Sequence, residues 1–282
     1  MVTSKITRRA ALHIMGGSAA AGAAWPALAA AQPTLDAIKA AGVIRCGCEA
    51  VLPPFTFRDQ GTIVGYDVDV ATLLAKPLGV KVEMVDTAWA GIIPALYAGR
   101  FDIIVSQMTY TKERLEKVGF AIPYVDASLA MLIRAEDAEK IKSPKDMVGR
   151  TIGVQLGSPG EILQKRLNDE WTANGGQGFA GVRIYDDYPA SYLALSQGSV
   201  DGVFNTLTTL AIVLKDQPGK FAVVRGVNKD SWAGIATRKE NTDLVAYLDE
   251  QMRAIKKSGE IYALQEKWFG LRMELPDAVP AL

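Results

Sequence analysis

The chain has 282 residues with 31 basic and 31 acidic side chains, one histidine and two cysteines. It contains no basic run, which argues against binding to nucleic acids or anionic membranes because both require concentrated positive charge. About half of the residues are hydrophobic, which is typical of a folded globular chain.

Residues 1–31 differ from the rest of the chain and predict a secretory signal that is removed on export. The segment runs from Lys5, Arg8 and Arg9 through an alanine- and glycine-rich stretch that is too short for a membrane-spanning helix of about 20 residues. The Arg8-Arg9 pair, with Thr7 before it and Leu12 three residues after it, favours a twin-arginine signal, with the positive end of an ordinary Sec signal as the alternative. Either route leads to the periplasm or out of the cell.

The only histidine, His13, falls within this segment. A mature chain without histidine excludes a Ser-His-Asp triad, a Cys-His pair and a histidine-ligated metal site. Without Lys5, Arg8 and Arg9, 28 of the 31 basic residues remain against 31 acidic ones, so the mature chain is mildly acidic.

Strand and helix patterns alternate along the remaining chain. Short β-branched runs predict strands at 43–48, 80–86, 103–106, 151–155, 182–185, 202–205 and 221–224. Helical apolar spacing is found at 66–78, 92–98, 112–118, 159–171, 190–197 and 207–215, and two further helices follow Asn241 with Gly259 between them. This alternation predicts an α/β fold with largely parallel sheets, whose ligands bind at the carboxyl ends of the strands.

Cys46 and Cys48 alternate within the first predicted strand. Residues two apart in a strand lie roughly 6.6 Å apart, at the outer limit of disulfide geometry. We therefore expect two thiols packed in or near the core, with a strained disulfide as the alternative.

A series of motifs resembles the solute-binding proteins of polar amino-acid ABC importers, extracellular solute-binding protein family 3. The motifs fall in family order across nearly the whole mature chain: PPFTF at 53–57, VGYDVDV at 64–70, WAGIIPAL at 89–96, GRFD at 99–102, SQMT at 106–109, KER at 112–114, FAIPY at 120–124, IGVQLGS at 152–158, GSVDG at 198–202 and KWFG at 267–270. Any one of them is weak evidence, whereas the ordered set is strong.

The resemblance implies a type II periplasmic binding protein with two Rossmann-like lobes. The first lobe is expected to comprise residues 32–127 and 232–282, and the second residues 128–231, with crossovers near 126–130 and 226–232. Such a protein captures a small carboxylate-bearing solute, an amino acid or a derivative, by hinge closure and delivers it to a membrane permease. The resemblance implies a monomer that uses no cofactor or metal and catalyses no reaction.

Arg114 matches the family arginine that grips the carboxylate of the ligand, for which a guanidinium offers two parallel hydrogen bonds. The alternative is a solvated arginine at a helix start beside Glu113. Ser106, Gln107 and Thr109 follow a predicted strand and match positions that contact the ligand, unless they serve only as a turn.

Trp89 matches an aromatic residue that packs on the ligand, although a core tryptophan remains the alternative. Gln155 and Ser158 belong to the motif of the second lobe, and Ser158 precedes a helix whose N-terminus suits an anion. Pro159 follows directly and has no N–H, so one donor that relatives use is missing.

Two positions depart from the family pattern. Asn205 and Thr206 occupy the region in which the family places an aspartate that neutralises the ligand's α-ammonium, with Thr206 at the aspartate position itself. Leu52 replaces the usual aromatic residue before the Pro-Phe pair. Glu49 follows the first strand and is either a substitute negative charge or a carboxylate at the rim of the site.

These departures leave other functions open. Cyclohexadienyl dehydratase resembles this family and uses the same cleft for elimination, so a periplasmic lyase with Glu49 as general acid is the alternative hypothesis. Signalling by docking to a receptor is a third possibility.

Overall fold

The computed structural model describes residues 35–173, 175–228 and 231–281, so the predicted signal segment and His13 lie outside the described residues. The strands are β1 (Val43–Cys48), β2 (Val51–Leu52), β3 (Thr56–Asp59), β4 (Thr62–Val64), β5 (Lys81–Asp86), β6 (Ile103–Ile104), β7 (Val118–Phe120), β8 (Val125–Asp126), β9 (Leu129–Arg134), β10 (Thr151–Gln155), β11 (Gly181–Tyr185), β12 (Gly202–Thr206), β13 (Phe221–Val224), β14 (Trp232–Ala233) and β15 (Ala236–Arg238). The helices are α1 (Leu35–Ala41), α2 (Tyr66–Ala75), α3 (Ile92–Tyr97), α4 (Lys112–Lys117), α5 (Pro159–Thr172), α6 (Tyr188–Ser196), α7 (Leu207–Asp216), α8 (Thr242–Ser258) and α9 (Glu260–Phe269).

The first sheet has the strand order β5-β1-β6-β15-β7. Strands β5, β1 and β6 are parallel, with Val43 opposite Lys81 and Cys46 opposite Ile103. Strand β15 runs antiparallel to β6 and β7, between which it lies. Helices α2, α3 and α8 pack against this sheet.

The C-terminal helices complete the layer on the first sheet. Helix α8 buries Leu244, Leu248, Met252 and Ile255, whose spacing places them on one face of the helix. Gly259 has a φ of 86°, the left-handed conformation that ends α8, and α9 begins at the next residue. The two helices therefore return the chain to the lobe in which it begins.

The second sheet has the strand order β11-β10-β12-β9-β13. Strands β11, β10 and β12 are parallel, whereas β9 is antiparallel to both β12 and β13. Helices α5, α6 and α7 pack against this sheet. Ser158 caps α5 by accepting a hydrogen bond from the backbone N–H of Glu161, and Pro159 occupies the first turn, where no N–H is needed.

The chain passes between the two sheets twice. It leaves the first sheet after β7 and enters the second at β9, then leaves the second after β13 and returns at β15. Along these connections β8 and β14 pair antiparallel, with Trp232 opposite Asp126. Strands β8 and β14 therefore lie together on the two connections that join the sheets.

The predicted fold class is confirmed, with two sheet-containing α/β lobes, but several element bounds and the directions of some strands differ from the prediction. The predicted strand at 103–106 is limited to Ile103 and Ile104. The sheets are mixed rather than largely parallel, because β9 and β15 each run antiparallel to their neighbours. Parallel neighbours are joined by a crossover within one sheet, whereas these two strands arrive directly from the other sheet.

Cys46 and Cys48 are free thiols and are fully buried on β1, as expected. Burial raises the pKa of both thiols, that of Cys48 to about 12, so they stay protonated at neutral pH. None of the helices in the described residues is long and apolar enough to cross a membrane.

Candidate functional site

Four strand ends from the two sheets converge on one cleft. In the first sheet, Glu49 directly follows β1 and Ser106 lies two residues after β6; in the second, Gln155 ends β10 and Thr206 ends β12. Strands β1 and β6 are parallel to each other, as are β10 and β12, so their carboxyl ends lie at the same edge of each sheet, where ligands bind in open α/β sheets.

A small inner cavity lies at this meeting point. Its volume is about 20 Å³, close to the space that one water molecule needs. Nine of the predicted site residues line it: Glu49, Leu52, Trp89, Ser106, Gln107, Thr109, Gln155, Asn205 and Thr206. The remaining lining residues, Leu129, Pro159 and Tyr188, were not predicted as ligand contacts.

Glu49 is a buried carboxylate that contacts the opposite lobe directly. The side-chain amide of Gln155 donates to both carboxylate oxygens of Glu49, at 2.8 and 3.0 Å, and also reaches the carbonyl of Asp186. Burial raises the pKa of Glu49, although the hydrogen bond from Gln155 opposes the shift. Within the described part of the chain, no lysine or arginine forms an ion pair with this carboxylate.

Arg114 does not line the inner cavity itself but contacts Thr109, which does. Its Nη1 donates to the carbonyl and the hydroxyl of Thr109, at 3.0 and 2.6 Å, and its Nη2 donates to the carbonyl of Gly157 on the other lobe. Burial lowers the pKa of Arg114 to about 10, which leaves the guanidinium charged at neutral pH. Among the described residues it pairs with no carboxylate within 4 Å.

Trp89 joins the two lobes beside Arg114. Its indole N–H donates to the carbonyl of Gly157 at 3.0 Å, and its ring lies 5.1 Å from the guanidinium carbon of Arg114, within the range of a cation–π contact. Trp89 lines both the inner cavity and a larger adjoining groove of about 750 Å³, which Arg114 also lines.

Gln107 holds an uncommon backbone conformation in the cleft. Its φ is 49°, in the left-handed region that non-glycine residues rarely adopt. Its side-chain amide donates to the hydroxyl of Thr206 across the cleft at 3.3 Å. The neighbouring Ser106 hydroxyl accepts from the backbone N–H of Glu49, which fixes the turn after β1.

Thr206 occupies the position at which the family usually has an aspartate. Its hydroxyl is 2.9 Å from the hydroxyl of Thr209, and its backbone N–H bonds to the side chain of Asn205. Asn205 in turn donates to the hydroxyl of Tyr192. This strand end therefore brings neutral hydrogen-bonding groups to the cavity and no charge.

Ser158 and Tyr188 lie next to each other on the side of the cavity that the second lobe provides. Ser158 is buried and does not line the cavity, but its side chain is hydrogen-bonded to the hydroxyl of Tyr188, which does. Tyr188 begins α6 after β11, so its place near a strand end was a signal that could have identified it. Pro159, which has no backbone N–H, lines the cavity directly after Ser158.

This arrangement provides two charges of opposite sign and a ring of polar groups, all buried. Arg114 is 7 % exposed and Glu49 5 % exposed. Burial raises the pKa of the Tyr188 hydroxyl; the charge of Glu49 raises this pKa further, whereas the charge of Arg114 lowers it. Chemically, such a site suits a small molecule that carries both an anionic and a cationic group.

Comparisons with known proteins identify a family of solute-binding proteins. The profile of the family described as bacterial extracellular solute-binding proteins, family 3, matches residues 44–271. The chain is 31% identical over 271 residues to the L-cystine-binding protein TcyJ of Escherichia coli, covering 96% of this chain and 98% of that protein. It is 33% identical over 235 residues to the putative ABC transporter arginine-binding protein 2 of the same organism, covering 82% of this chain and 92% of that protein.

Solved structures share the fold. The ancestral amino acid-binding protein AncCDT-1, described as a precursor of cyclohexadienyl dehydratase, superposes with a TM-score of 0.73 at 35% identity, covering 83% of this chain and 98% of that structure. The relatives named here are binding proteins, which favours solute binding over the lyase hypothesis.

Proposed function

Because the chain belongs to the bacterial extracellular solute-binding proteins, family 3, we propose that it captures an α-amino acid in the cleft between its two sheets for an ABC importer. The relatives named above include an L-cystine-binding protein and a putative arginine-binding protein. Capture by itself requires no chemical step, so we propose a binding protein rather than an enzyme.

The observation that carries this proposal is the pair of buried charges in the cleft. Glu49 and Arg114 form no ion pair in the described residues, although an uncompensated buried charge is unfavourable. A zwitterionic amino acid supplies the missing partner for both. We propose that Arg114 faces the α-carboxylate and that Glu49 takes over the role of the family aspartate, which is Thr206 here, by facing the α-ammonium.

The charge balance narrows the class of ligand. Glu49 is the single formally charged side chain among the residues that line the inner cavity. One carboxylate balances one ammonium group, so we propose an amino acid whose side chain carries no net charge. A second cationic group without an anionic partner of its own, such as the guanidinium of arginine, would remain unpaired there.

The other predicted site residues support this role. Trp89 and Leu52 offer apolar surface for the ligand's side chain. Hydrogen-bonding groups come from Ser106, Gln107, Thr109, Gln155, Asn205 and Thr206, with Ser158 acting through Tyr188.

We further propose that the ligand is enclosed by hinge closure between a lobe of residues 32–127 plus 232–282 and a lobe of residues 128–231. The paired strands β8 and β14 are suited to be part of the hinge. In this proposal the protein acts in the periplasm after removal of residues 1–31, by the twin-arginine or the Sec route, and presents the ligand to the permease as a monomer.

A ligand screen tests the proposal. Protein that has been unfolded and refolded to remove co-purifying solutes is screened by thermal shift against L-cystine, L-glutamine, L-arginine and the keto acid of glutamine, followed by calorimetric titration of the ligands that raise the melting temperature. We expect a zwitterion with an uncharged side chain to bind more tightly than L-arginine. Binding of the keto acid alone would refute the role of Glu49.

The variant Glu49→Gln tests that role directly. It retains the hydrogen-bonding shape of the side chain but removes the charge, so affinity for the preferred amino acid should fall at least tenfold. The control is Glu250→Gln, an exposed change on α8 that should leave affinity unchanged. Equal affinities of the two variants would contradict the assignment.

The lyase hypothesis rests on the same residue. Glu49 is buried and its pKa is raised, as a general acid requires. Incubation with prephenate or arogenate distinguishes the two functions, since a binding protein returns both compounds unchanged.

A further inference from the structure

A second buried carboxylate lies inside the first lobe, away from the ligand cavity. Asp67, in the first turn of α2, is fully buried and forms no ion pair with any described residue. One of its oxygens, Oδ2, has no hydrogen-bond partner in the described part of the chain. A carboxylate in such surroundings is unfavourable, so its presence needs an explanation.

Asp67 is connected to the cleft by two hydrogen bonds in series. The hydroxyl of Tyr124 donates to Asp67 Oδ1 at 2.8 Å, and the same hydroxyl accepts the backbone N–H of Gln107 at 2.8 Å. The backbone of Tyr124 is held by the hydroxyl of Tyr66, which donates to its carbonyl at 2.7 Å. The rings of Tyr66 and Tyr124 are stacked with centroids 5.9 Å apart.

The end of this series is the residue with the left-handed backbone. Gln107 has a φ of 49°, a conformation that is unfavourable for a residue with a side chain. That conformation directs its amide across the cleft to Thr206 on the second lobe. A hydrogen bond to the backbone N–H of Gln107 therefore helps to hold the residue that joins the two lobes beside the ligand cavity.

We propose that Asp67 is a positioning residue for ligand binding, which holds Gln107 in its left-handed conformation through the hydroxyl of Tyr124. The functional part of this inference rests on the proposed amino-acid binding. Ionised Asp67 withdraws the hydroxyl proton of Tyr124 towards itself, which makes the tyrosine oxygen a stronger acceptor for the N–H of Gln107. Protonation of Asp67 weakens that acceptor.

The groups around Asp67 leave it free to respond to pH. The charge of Asp67 adds to the raised pKa of three neighbouring groups, namely the thiol of Cys48 on β1 and the hydroxyls of Tyr66 and Tyr124. The pKa of Cys48 is about 12, and burial raises those of both tyrosines well above their usual value, so these three stay protonated below about pH 9. Burial raises the pKa of Asp67 to about 7, only partly offset by the bond from Tyr124.

The first test needs no ligand. Protein labelled with ¹⁵N-glutamine is titrated from pH 5 to pH 9 while the backbone amide signal of Gln107 is followed by NMR. We expect this signal to shift with a midpoint near pH 7 in the unmodified protein and to lose the transition in Asp67→Asn. The matched control, Asp59→Asn in the exposed hairpin, should keep it. A flat titration of the unmodified protein, or one that persists in Asp67→Asn, would overturn the proposal.

The second test asks whether the series of hydrogen bonds affects binding. Affinity for L-cystine, or for L-glutamine if cystine does not bind, is measured in Tyr124→Phe, Gln107→Gly and the double variant. Tyr124→Phe alone should weaken binding about tenfold. When Tyr124→Phe is added to Gln107→Gly, affinity should change less than twofold, because the glycine adopts a positive φ without the hydrogen bond to Tyr124.

Equal losses of affinity on Tyr124→Phe in both backgrounds would mean that Tyr124 acts on binding independently of Gln107, and would overturn the positioning role. If none of the amino acids binds, the proposed function fails while the NMR test still decides on the hydrogen-bond series. The two failures are therefore distinguishable.

Discussion

The buried carboxyl of Asp67 should make the stability of the protein depend on pH in an unusual direction. Its pKa is about 7 in the folded chain and returns to the ordinary 3.8 when unfolding exposes it. Between these values the folded state holds a proton that the unfolded state has released, so raising the pH favours unfolding. From pH 5 to pH 8 this one group should lower the free energy of unfolding by about 2.5 kcal/mol.

Urea unfolding at pH 5 and pH 8 measures this effect by linear extrapolation. Other buried groups such as Glu49 also respond to pH, so the relevant quantity is the difference between the unmodified protein and Asp67→Asn. The variant should lose about 2.5 kcal/mol less between the two pH values. A constant difference between the two proteins at both pH values would refute a raised pKa for Asp67, whatever the absolute cost of the substitution.

Three further predictions concern the cleft and the fold. Arg114→Ala should weaken amino-acid binding by a few kcal/mol in calorimetric titration, whereas Arg253→Ala on the exposed face of α8 should not, and equal effects would contradict the carboxylate assignment. Thr206→Asp restores the family's usual acid, so it should improve affinity for L-arginine at least tenfold relative to L-glutamine; an unchanged ratio would show that Glu49 already suffices for both. Gly65→Ala should cost more than about 2 kcal/mol of unfolding free energy in urea, because its new Cβ would approach the carbonyl of Phe55, whereas Gly61→Ala, with a positive φ but open space, should cost about 1 kcal/mol.

The strands of the two sheets were largely predictable because their signal is local. Residues 43–48 and 151–155 are apolar runs bounded by turns, and the structure keeps their predicted bounds. The direction of β9 and β15 was not predictable in this way. A strand runs parallel or antiparallel to its neighbour according to whether the chain enters it from the same sheet or from the other sheet. The residues of the strand itself do not encode this path.

In the candidate site, too, the residues that local patterns mark were predictable, whereas those that only tertiary packing brings to the cavity were not. Glu49 and Gln155 were predicted from their place after strands and from the family motifs, and the structure brings them into contact. Tyr188 and Leu129 were missed because each lies on an element that no motif marks, and they reach the cavity only through tertiary packing. Asp67 was quoted as part of a motif, but its link to Gln107 passes through Tyr124, more than fifty residues along the chain, which local patterns do not reveal.

The carbonyl of Gly157 has a consequence for how the site distinguishes cations. A carbonyl oxygen has two lone pairs, and here one accepts the indole of Trp89 and the other the guanidinium of Arg114. The acceptor is saturated by the protein itself, so an incoming ammonium group finds no free backbone oxygen at that point of the second lobe. In the proposed binding mode, recognition of positive charge therefore depends on the Glu49 carboxylate alone, and we expect one substitution at that position to change the class of ligand that the protein accepts.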